Sequence, residues 1–512
     1  MRRVLIRGGV LPAPAHPRGL RADIVVEEER FAAILTDDTP RPEDAEVIDA
    51  DDCAIIPGLV NGHMHSHNNI LKGLGDRWTL EMSLSQATAL GGGRDLEMVY
   101  ASAAIGAAEQ LLKGCTSCYD MAFEYPMPTP EGLDTVARAY SDVGVRAVIA
   151  PLVADTAFFD AIPGLRHALE AQGFAPPAAD TDGKAILDRL RALLRDWAWP
   201  RDRLRMALGP TIPLLCSDGF MTGCRDLARE FDCGLHTHLC ESKVQAVTGL
   251  QRYGRSIPAH LHALGMLGPA LTCAHAVWLS DEDRMRLADS GAVVVHNPGS
   301  NFRLGSGVAD VRSMASAGVH IGLGTDGATC ADSLNMFEAM RLMTHASRIF
   351  GAPHDSWVGA AEALRAGTAG SARALGFGED IGRIEVGAQA DLVLLDLTRP
   401  HYAPLNDLTA QIVYGEDSSG VRDVMVGGRM VVRDRRLTTI DYPRLVRKIN
   451  THALELEART GDDRALARGM ALVAATFCHG MIRQEHESAA YVGMACTHGA
   501  QNAPAGAGLS GQ

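Results

Sequence analysis

The chain has 512 residues, 46% of them hydrophobic, which is enough for one large core and a smaller accessory unit. Its net charge is −14 and it contains no basic run, which argues against nucleic acid as a partner. No uninterrupted apolar run reaches the roughly 18 residues of a transmembrane helix, and no apolar segment follows the basic start. We therefore predict no membrane contact and no signal peptide, and the 11 scattered cysteines favour a cytoplasmic location.

The two flanks of the chain share one pattern. Residues 1–57 contain short β-type runs punctuated by glycine and proline, and residues 379–440 show the same kind of runs. Neither flank has enough strands to bury a core by itself. We therefore predict that they combine into a small β-sandwich domain.

Residues 58–378 alternate between apolar runs and amphipathic or alanine-rich stretches. The strand candidates, counted from just before this region, are 54–62, 116–122, 146–154, 203–212, 233–241, 271–279, 291–298 and 320–327. Most of them are continuously apolar, which is typical of parallel strands covered on both faces. Eight such strands with intervening helices predict an α/β fold of the (β/α)8 TIM-barrel type over 58–378.

The end of the chain differs from both regions. Residues 441–481 predict a C-terminal helical segment. Residues 482–512 finish in a stretch rich in glycine, alanine and serine, which predicts a disordered tail.

Histidines and a carboxylate stand where the predicted barrel strands end. His63 and His65 share one face of the first strand, because successive side chains of a strand alternate. His238, His275 and Asp326 stand near the ends of the fifth, sixth and eighth strands, the edge where such barrels carry their chemistry. A single histidine at a strand end is more often a hydrogen-bonded structural group. Together, however, these imidazoles and this carboxylate predict a divalent metal site, with Zn²⁺ first and Fe²⁺ or Mn²⁺ as alternatives.

Four short motifs give the chain a specific resemblance. They are PGLVNGHMH (57–65), HTHLCE (236–241), HNPGSN (296–301) and LGTDG (323–327). In this order they resemble the amidohydrolase superfamily, and within it the cytosine deaminase-like and chlorohydrolase-like aminohydrolases, which include triazine hydrolases and methylthioadenosine/adenosylhomocysteine deaminases. The resemblance extends from about residue 4 to residue 437. It implies the same barrel fold and, as is common in this family, a homo-oligomer.

The resemblance also implies roles for individual residues. The implied metal ligands are His63, His65, His238 and Asp326. Glu241 matches the proton-shuttling glutamate of the deaminases, His275 the histidine that orients the attacking hydroxide, and Asp326 the base that takes a proton from the attacking water. Two alternatives stay open: Glu241 could serve only to hold His238, and His275 could be purely structural. His236 could compete for the metal, but the His-x-x-Glu spacing favours His238.

The lysines favour one metal over two. Two-metal members of the superfamily use a carboxylated lysine at the end of a middle strand as a bridge. The five lysines of this chain are Lys72, Lys113, Lys184, Lys243 and Lys448. None of them falls at the end of the third or fourth predicted strand, which close near Ala154 and Ile212. We therefore predict one divalent metal per chain.

Three functions were weighed against these residues. The first is an aminohydrolase, a deaminase in which a metal-activated hydroxide displaces ammonia from a C–NH2 carbon of an N-heterocyclic or amidine-like small molecule. The second is a hydrolase of the same fold that displaces an alkylamine or chloride from a triazine, or opens a cyclic amide or urea. The third is a non-catalytic binding barrel, which the full set of ligands argues against. Glu241 favours the first, because it can protonate a ring nitrogen.

Overall fold

The computed structural model describes residues 2–36, 39–178, 182–331 and 333–484. Its strands are β1 (Arg3–Ala13), β2 (His16–Glu27), β3 (Arg30–Leu35), β4 (Glu46–Asp49), β5 (Cys53–Pro57), β6 (Leu59–Met64), β7 (Cys115–Ala122), β8 (Arg146–Val153), β9 (Leu204–Met206), β10 (Gly209–Pro210), β11 (Leu235–Leu239), β12 (Leu271–His275), β13 (Val293–His296), β14 (His320–Leu323), β15 (Leu392–Asp396), β16 (Val421–Val426), β17 (Arg429–Arg433) and β18 (Arg436–Leu437).

The helices lie mostly between the barrel strands. They are α1 (Leu80–Gly91), α2 (Leu96–Leu112), α3 (Pro130–Val143), α4 (Phe158–Ala161), α5 (Leu165–Glu170), α6 (Gly183–Arg195), α7 (Asp218–Glu230), α8 (Lys243–Tyr253), α9 (Ile257–Ala263), α10 (Asp281–Ser290), α11 (Pro298–Arg303), α12 (Val311–Ser316), α13 (Met336–Ala346), α14 (Ala360–Arg365), α15 (Ser371–Ala374), α16 (Leu408–Tyr414) and α17 (Tyr442–Gln484). Single turns of 3-10 or π-helix occupy Ser66–Leu71, Pro213–Leu215, His354–Ser356, Ala366–Gly370 and Pro400–Tyr402.

The central strands form a curled parallel sheet in two halves. One half has the order β10-β8-β7-β6 with β9 on β8, and the other has the order β11-β12-β13-β14. The halves meet where the His236 and His238 amides donate to the carbonyls of Leu208 and Thr211, both at 2.8 Å. On the opposite side, the Asp326 amide donates to the carbonyl of His63 at 2.9 Å. The α/β fold with a curled parallel sheet is confirmed, and every predicted barrel strand is found, the fourth as the two pieces β9 and β10.

The first predicted strand, 54–62, is divided between two sheets. β5 pairs with β15 of the flanks, whereas β6 pairs with β7 of the barrel. Gly58 separates them at a close approach of two backbones, since a Cβ there would lie 2.1 Å from the Thr116 hydroxyl oxygen. The point where the chain passes from the flank sheet to the barrel sheet therefore requires a residue without a side chain. An apolar run in the sequence does not reveal this point.

Both flanks contribute to one nine-stranded sheet. Its order is β18-β17-β16-β15-β5-β1-β2-β3, with β4 on β1. Buried aliphatic side chains from both ends of the chain, such as Ile6, Ile55 and Leu392, form its core. The predicted combination of the flanks is therefore present as a single connected sheet, while its sandwich arrangement and the domain boundaries stay predictions.

The C-terminal helix α17 is 43 residues long and extends beyond the predicted segment 441–481. It packs against α1, α2, α5 and α8. The segment Tyr442–Arg483 is long and apolar enough to cross a membrane. A single such helix is weak evidence for a membrane span, because buried core helices can have the same length and composition. The predicted disordered tail, 482–512, lies outside the described residues from 485 onward.

Candidate metal centre and active site

The six residues predicted for the site lie together at the carboxyl ends of the barrel strands, and all of them are buried. His63 is in β6 and His65 follows it, His238 is in β11, and His275 ends β12. Candidate ligand atoms form three overlapping groups, each within 4.8 Å: His63, His238 and His275; His63, His65 and Asp326; and Glu241, His275 and Asp326. The sequence therefore located a real cluster, and the role of each member is a separate question.

Backbone carbonyls fix the orientation of two imidazoles. His65 Nδ1 lies 2.9 Å from the carbonyl oxygen of Met121, and His238 Nδ1 lies 2.6 Å from that of Thr211. Because a carbonyl oxygen only accepts, both Nδ1 atoms must carry the proton. The Nε2 lone pairs then point into the centre, where the two Nε2 atoms are 3.2 Å apart. Two unprotonated nitrogens facing each other are an arrangement that a cation stabilises.

Two further imidazoles have the same orientation. His63 Nδ1 lies 3.1 Å from His236 Nε2, and His275 Nδ1 lies 2.9 Å from Asn301 Oδ1. The Nε2 atoms of His63 and His275 are buried and have no hydrogen-bond partner among the described residues. Burial lowers the pKa of His63 to about 3, so its ring stays neutral and can act as a ligand. His236 lies behind His63 and does not compete for the centre.

Asp326 is held as an anion beside the histidines. Its Oδ1 lies 3.4 Å from His63 Nε2 and 3.2 Å from His65 Nε2. The Ser300 hydroxyl donates to Oδ2 at 2.5 Å, and the Gly327 amide donates to Oδ1 at 2.6 Å. Burial alone would raise the pKa of Asp326, but its close contacts with the His63 and His65 rings, and the nearby His275, hold that pKa well below its usual range. Asp326 also adopts a left-handed backbone with φ of 64°, which aims its carboxylate into the centre.

The pKa of Glu241 is shifted in the direction opposite to that of Asp326. Its Oε2 lies 3.6 Å from His275 Nε2, and its Oε1 has no hydrogen-bond partner in the described part of the chain. Burial raises the pKa of Glu241 well above its usual value, and the negative charges of Asp326 and Glu81 add to this effect. Two carboxyl groups whose pKa values are shifted in opposite directions therefore share one site, an arrangement that suits acid–base catalysis.

The donor set fits a divalent metal ion. It offers neutral imidazole nitrogens and one carboxylate, which are the ligands that Zn²⁺ prefers in catalytic sites. The orphaned Nε2 atoms of His63 and His275 are the structural sign of the fit, because buried polar atoms in a folded protein normally have partners.

Sequence reasoning missed several supporting residues. Ser300 and Asn301, which hold Asp326 and His275, lie in the segment that follows β13. Their presence in the HNPGSN motif was the available signal. Glu81 on α1 and Gln245 on α8 also approach Glu241, and no motif pointed to them.

Two cavities open on the carboxyl side of the barrel, and none of the six cluster residues belongs to their lining. The larger has a volume of about 700 Å³ and is lined by Phe123 and Phe158, which follow β7 and β8, and by Met470 of α17. The smaller has a volume of about 350 Å³ and is lined by Ser242 and Trp278, which follow β11 and β12. Helix α17 contributes residues to both, so it covers the carboxyl face of the barrel on both sides of α1. Cavities of this size suit a small-molecule substrate.

Comparison with known proteins gives related sequences and structures. The chain is 34% identical to the 5-methylthioadenosine/S-adenosylhomocysteine deaminase of Syntrophobacter fumaroxidans over 78% of this chain and 85% of that protein. It is 30% identical to the 5′-deoxyadenosine deaminase of Methanosarcina mazei over 86% of this chain and 94% of that protein.

Solved structures share the fold. An adenosine deaminase from Xanthomonas campestris with bound zinc superposes with a TM-score of 0.78 at 28% identity, covering 90% of this chain and 98% of that one. The zinc complex of atrazine chlorohydrolase from Arthrobacter aurescens superposes equally well, with a TM-score of 0.78, but at 24% identity over 88% of this chain and 100% of that one, so it shows the fold alone.

The family model described as "Amidohydrolase family" matches residues 54–431, which include every barrel strand and every predicted site residue. The predicted resemblance is therefore confirmed. The chain belongs to the amidohydrolase family, whose members are hydrolases acting on carbon–nitrogen bonds.

Proposed function

We propose that this protein is a metal-dependent aminohydrolase that releases ammonia from the C–NH2 carbon of an N-heterocycle, with 6-aminopurine nucleosides as the first substrate class to consider. The observation that carries the proposal is the pairing, beside four converging imidazoles, of Glu241, whose pKa is raised, with Asp326, whose pKa is lowered. The names of the related deaminases, whose substrates are adenine nucleosides, support the substrate class.

The proposal includes one divalent metal, with zinc as the preferred ion. His63, His65, His238 and Asp326 would hold it. When bound, such an ion lowers the pKa of a coordinated water towards neutrality and so supplies the nucleophile. The lysines support a single ion. Lys72 and Lys113 pair with Glu109, and Lys184 and Lys448 pair with other carboxylates away from the site. Lys243, at the start of α8, lies over the ring of Trp278.

Side chains of the protein carry out the proton transfers. Asp326, which is ionised, accepts a proton from the attacking water, and His275 orients that water through its free Nε2. Glu241, which is protonated, donates to a ring nitrogen of the substrate, which makes the amino-bearing carbon more electrophilic. The proton taken up by Asp326 leaves with ammonia. The hydroxyl formed at the attacked carbon gives its proton to Glu241 as it becomes the product carbonyl, so both carboxyl groups return to their starting states.

The direct test is ammonia release by purified protein of known metal content. The panel contains adenosine, 5′-deoxyadenosine, aminated pyrimidines, pterins, triazines and guanidino compounds. We expect ammonia from adenine nucleosides and about one zinc per chain. Metal-loaded protein that releases no ammonia from any of these compounds contradicts the deaminase proposal and favours displacement of a different leaving group.

A second test isolates Glu241. Glu241→Gln keeps the shape of the side chain and removes its acid function, so we expect normal metal content and turnover reduced by about 10²–10⁴-fold. Glu97→Gln is the matched control, because Glu97 stands in the first turn of α2 with an exposed side chain. Near-normal turnover of Glu241→Gln removes the proton-donor role.

A further inference from the structure

A third histidine follows the two at the end of β6. His67 lies in the 3-10 turn Ser66–Leu71, two residues beyond His65, and is half-buried. Its ring packs edge-on against the His65 ring, with 5.2 Å between the centroids. Neither metal binding nor the proton transfers described above require His67.

The tautomer of His67 is the reverse of that of His65. The Phe123 amide donates a hydrogen bond to His67 Nδ1 at 3.2 Å. Because a backbone amide only donates, this Nδ1 must be unprotonated, and the hydrogen of the neutral ring is then on Nε2. His65, whose Nδ1–H faces the Met121 carbonyl, presents a lone pair at Nε2 and can bind a cation. His67 presents an N–H group at the same ring position and can bind only an acceptor.

Arg94 fixes the two chain segments that set this tautomer. Its guanidinium donates to the carbonyl oxygens of His67 at 3.1 Å and of Phe123 at 3.0 Å, and its Nε donates to that of Gly91 at 2.8 Å. One side chain therefore holds both the residue that carries the ring and the residue whose amide orients it. Burial, the His65 ring and the Arg94 charge also lower the pKa of His67 well below its usual value, which keeps the ring neutral.

The Nε2 donor of His67 is free and close to the metal centre. It has no hydrogen-bond partner in the described part of the chain, and it is not one of the fully buried polar atoms that lack a partner there, so a ligand can reach it. Asp326 and His238 are near enough to influence the pKa of His67. The other ring neighbour of His67 is Phe123, at 5.6 Å, and Phe123 lines the 700 Å³ cavity. His67 therefore contacts both a residue of the metal centre and a residue of the cavity wall.

We propose that His67 binds the substrate by donating a hydrogen bond from Nε2 to a ring nitrogen of the heterocycle. This nitrogen differs from the one that Glu241 protonates, because the lone pair of that atom is already used. In a 6-aminopurine nucleoside the remaining candidates are N3 and N7 of the purine ring. The inference rests on the proposed function, and it makes His67 a determinant of specificity: an analogue with C–H in place of this nitrogen leaves the donor without a partner.

The test pairs changes at His67 with single-atom changes in the substrate. Adenosine, 3-deazaadenosine and 7-deazaadenosine are compared by kcat and KM, and zinc content is measured for every enzyme. His67→Phe keeps a ring and removes the donor, whereas His67→Gln can place an amide donor near the position of Nε2. His260→Phe is the matched control, because His260 is a half-buried histidine of α9 whose ring stacks on Tyr253.

We expect wild type to lose about tenfold or more in kcat/KM, mostly through KM, with one of the two deaza analogues. His67→Phe should reduce this ratio about tenfold, because it has no hydrogen bond to lose. Differences in intrinsic reactivity among the nucleosides affect both enzymes alike, so the change in the ratio measures the hydrogen bond. His67→Gln should retain part of the discrimination and His260→Phe all of it. Every variant should keep the zinc content of wild type, because an Nε2 that carries hydrogen is not a metal ligand.

Four results overturn the inference, and each can be recognised. Wild type that deaminates all three nucleosides equally well shows that His67 Nε2 binds water only. His67→Phe that keeps the wild-type ratio shows that another residue binds the ring nitrogen. Loss of zinc from His67→Phe but not from His260→Phe shows that the His67 ring is part of the metal centre itself. Absence of ammonia from every nucleoside with zinc-loaded wild type defeats the substrate class of the proposed function, and the role of His67 falls with it.

Discussion

Burial alone would raise the pKa of both Asp326 and Glu241, because a low-dielectric interior disfavours their charged forms. The groups around each carboxyl shift the two pKa values in opposite directions. Asp326 is in close contact with the His63 and His65 rings, whereas Glu241 faces the negative charges of Asp326 and Glu81. Although both carboxyl groups are buried, one pKa is therefore lowered and the other raised, which is the pattern that the proposed base and acid require.

This separation predicts an alkaline limit to activity. The form of Glu241 required for catalysis is protonated, so kcat/KM should fall as pH rises through its raised pKa. The required form of Asp326 is ionised. Because its pKa is lowered, kcat/KM should begin to fall on the acid side only well below neutral pH. The measurement is a pH profile of kcat/KM on metal-saturated enzyme. A profile that rises through the alkaline range assigns the donor role to another group.

Sequence could predict the cluster residues but not those that hold them. His63 and His65 are two residues apart at the end of one strand, and His238, His275 and Asp326 stand at or just beyond strand ends. The two-residue period of a strand and the position at strand ends are therefore enough to identify these residues from the sequence. Ser300 and Gln245 act on partners in the fold, and neither follows a local rule. The roles of the cluster residues stay predictions, whereas the family and the hydrolase class are confirmed.

At the scale of elements, α17 is the least expected feature. The sequence predicts a helix there but not its position. From Arg459 to Arg483 it extends roughly 36 Å, enough to pass over both cavities. Its buried face packs with Phe159, Leu165 and Val244 in one apolar cluster. These contacts are long-range in sequence, so no local pattern reveals them.

Disturbing this apolar face should release the distal part of α17. Met470 is 6% exposed and lines the larger cavity, so Met470→Asp places an unpaired carboxylate in an apolar cluster and should cost about 2–3 kcal/mol in the free energy of unfolding. Limited proteolysis with mapping of cut sites should show faster cleavage within α17. The control is Leu472→Asp, since Leu472 is 63% exposed on the same helix. Equal cleavage of the two variants contradicts the packing role.

At the scale of the whole molecule, one buried ion pair connects the barrel to the flank sheet. Arg146 begins β8, and Asp391 directly precedes β15. Their contacts are 3.1 Å from Nε to Oδ2 and 3.3 Å from Nη2 to Oδ1, and both side chains are 1% exposed. Gln389 and the Gly427 amide also bond to this pair. The barrel and the flank sheet are thus joined by a fully desolvated polar network, in addition to the chain connection at Gly58.

Breaking one side of this pair should weaken the whole protein. Arg146→Met leaves the Asp391 carboxylate buried without its cation and should cost about 3–5 kcal/mol, measured by urea unfolding. Arg146→Met/Asp391→Leu removes both charges, and it should recover much of that loss because no uncompensated charge remains. The exposed pair of Arg7 and Asp49 is the control, and Arg7→Met should leave the unfolding midpoint nearly unchanged. If the double variant is no more stable than Arg146→Met, the loss comes from packing at the junction and not from the unpaired charge.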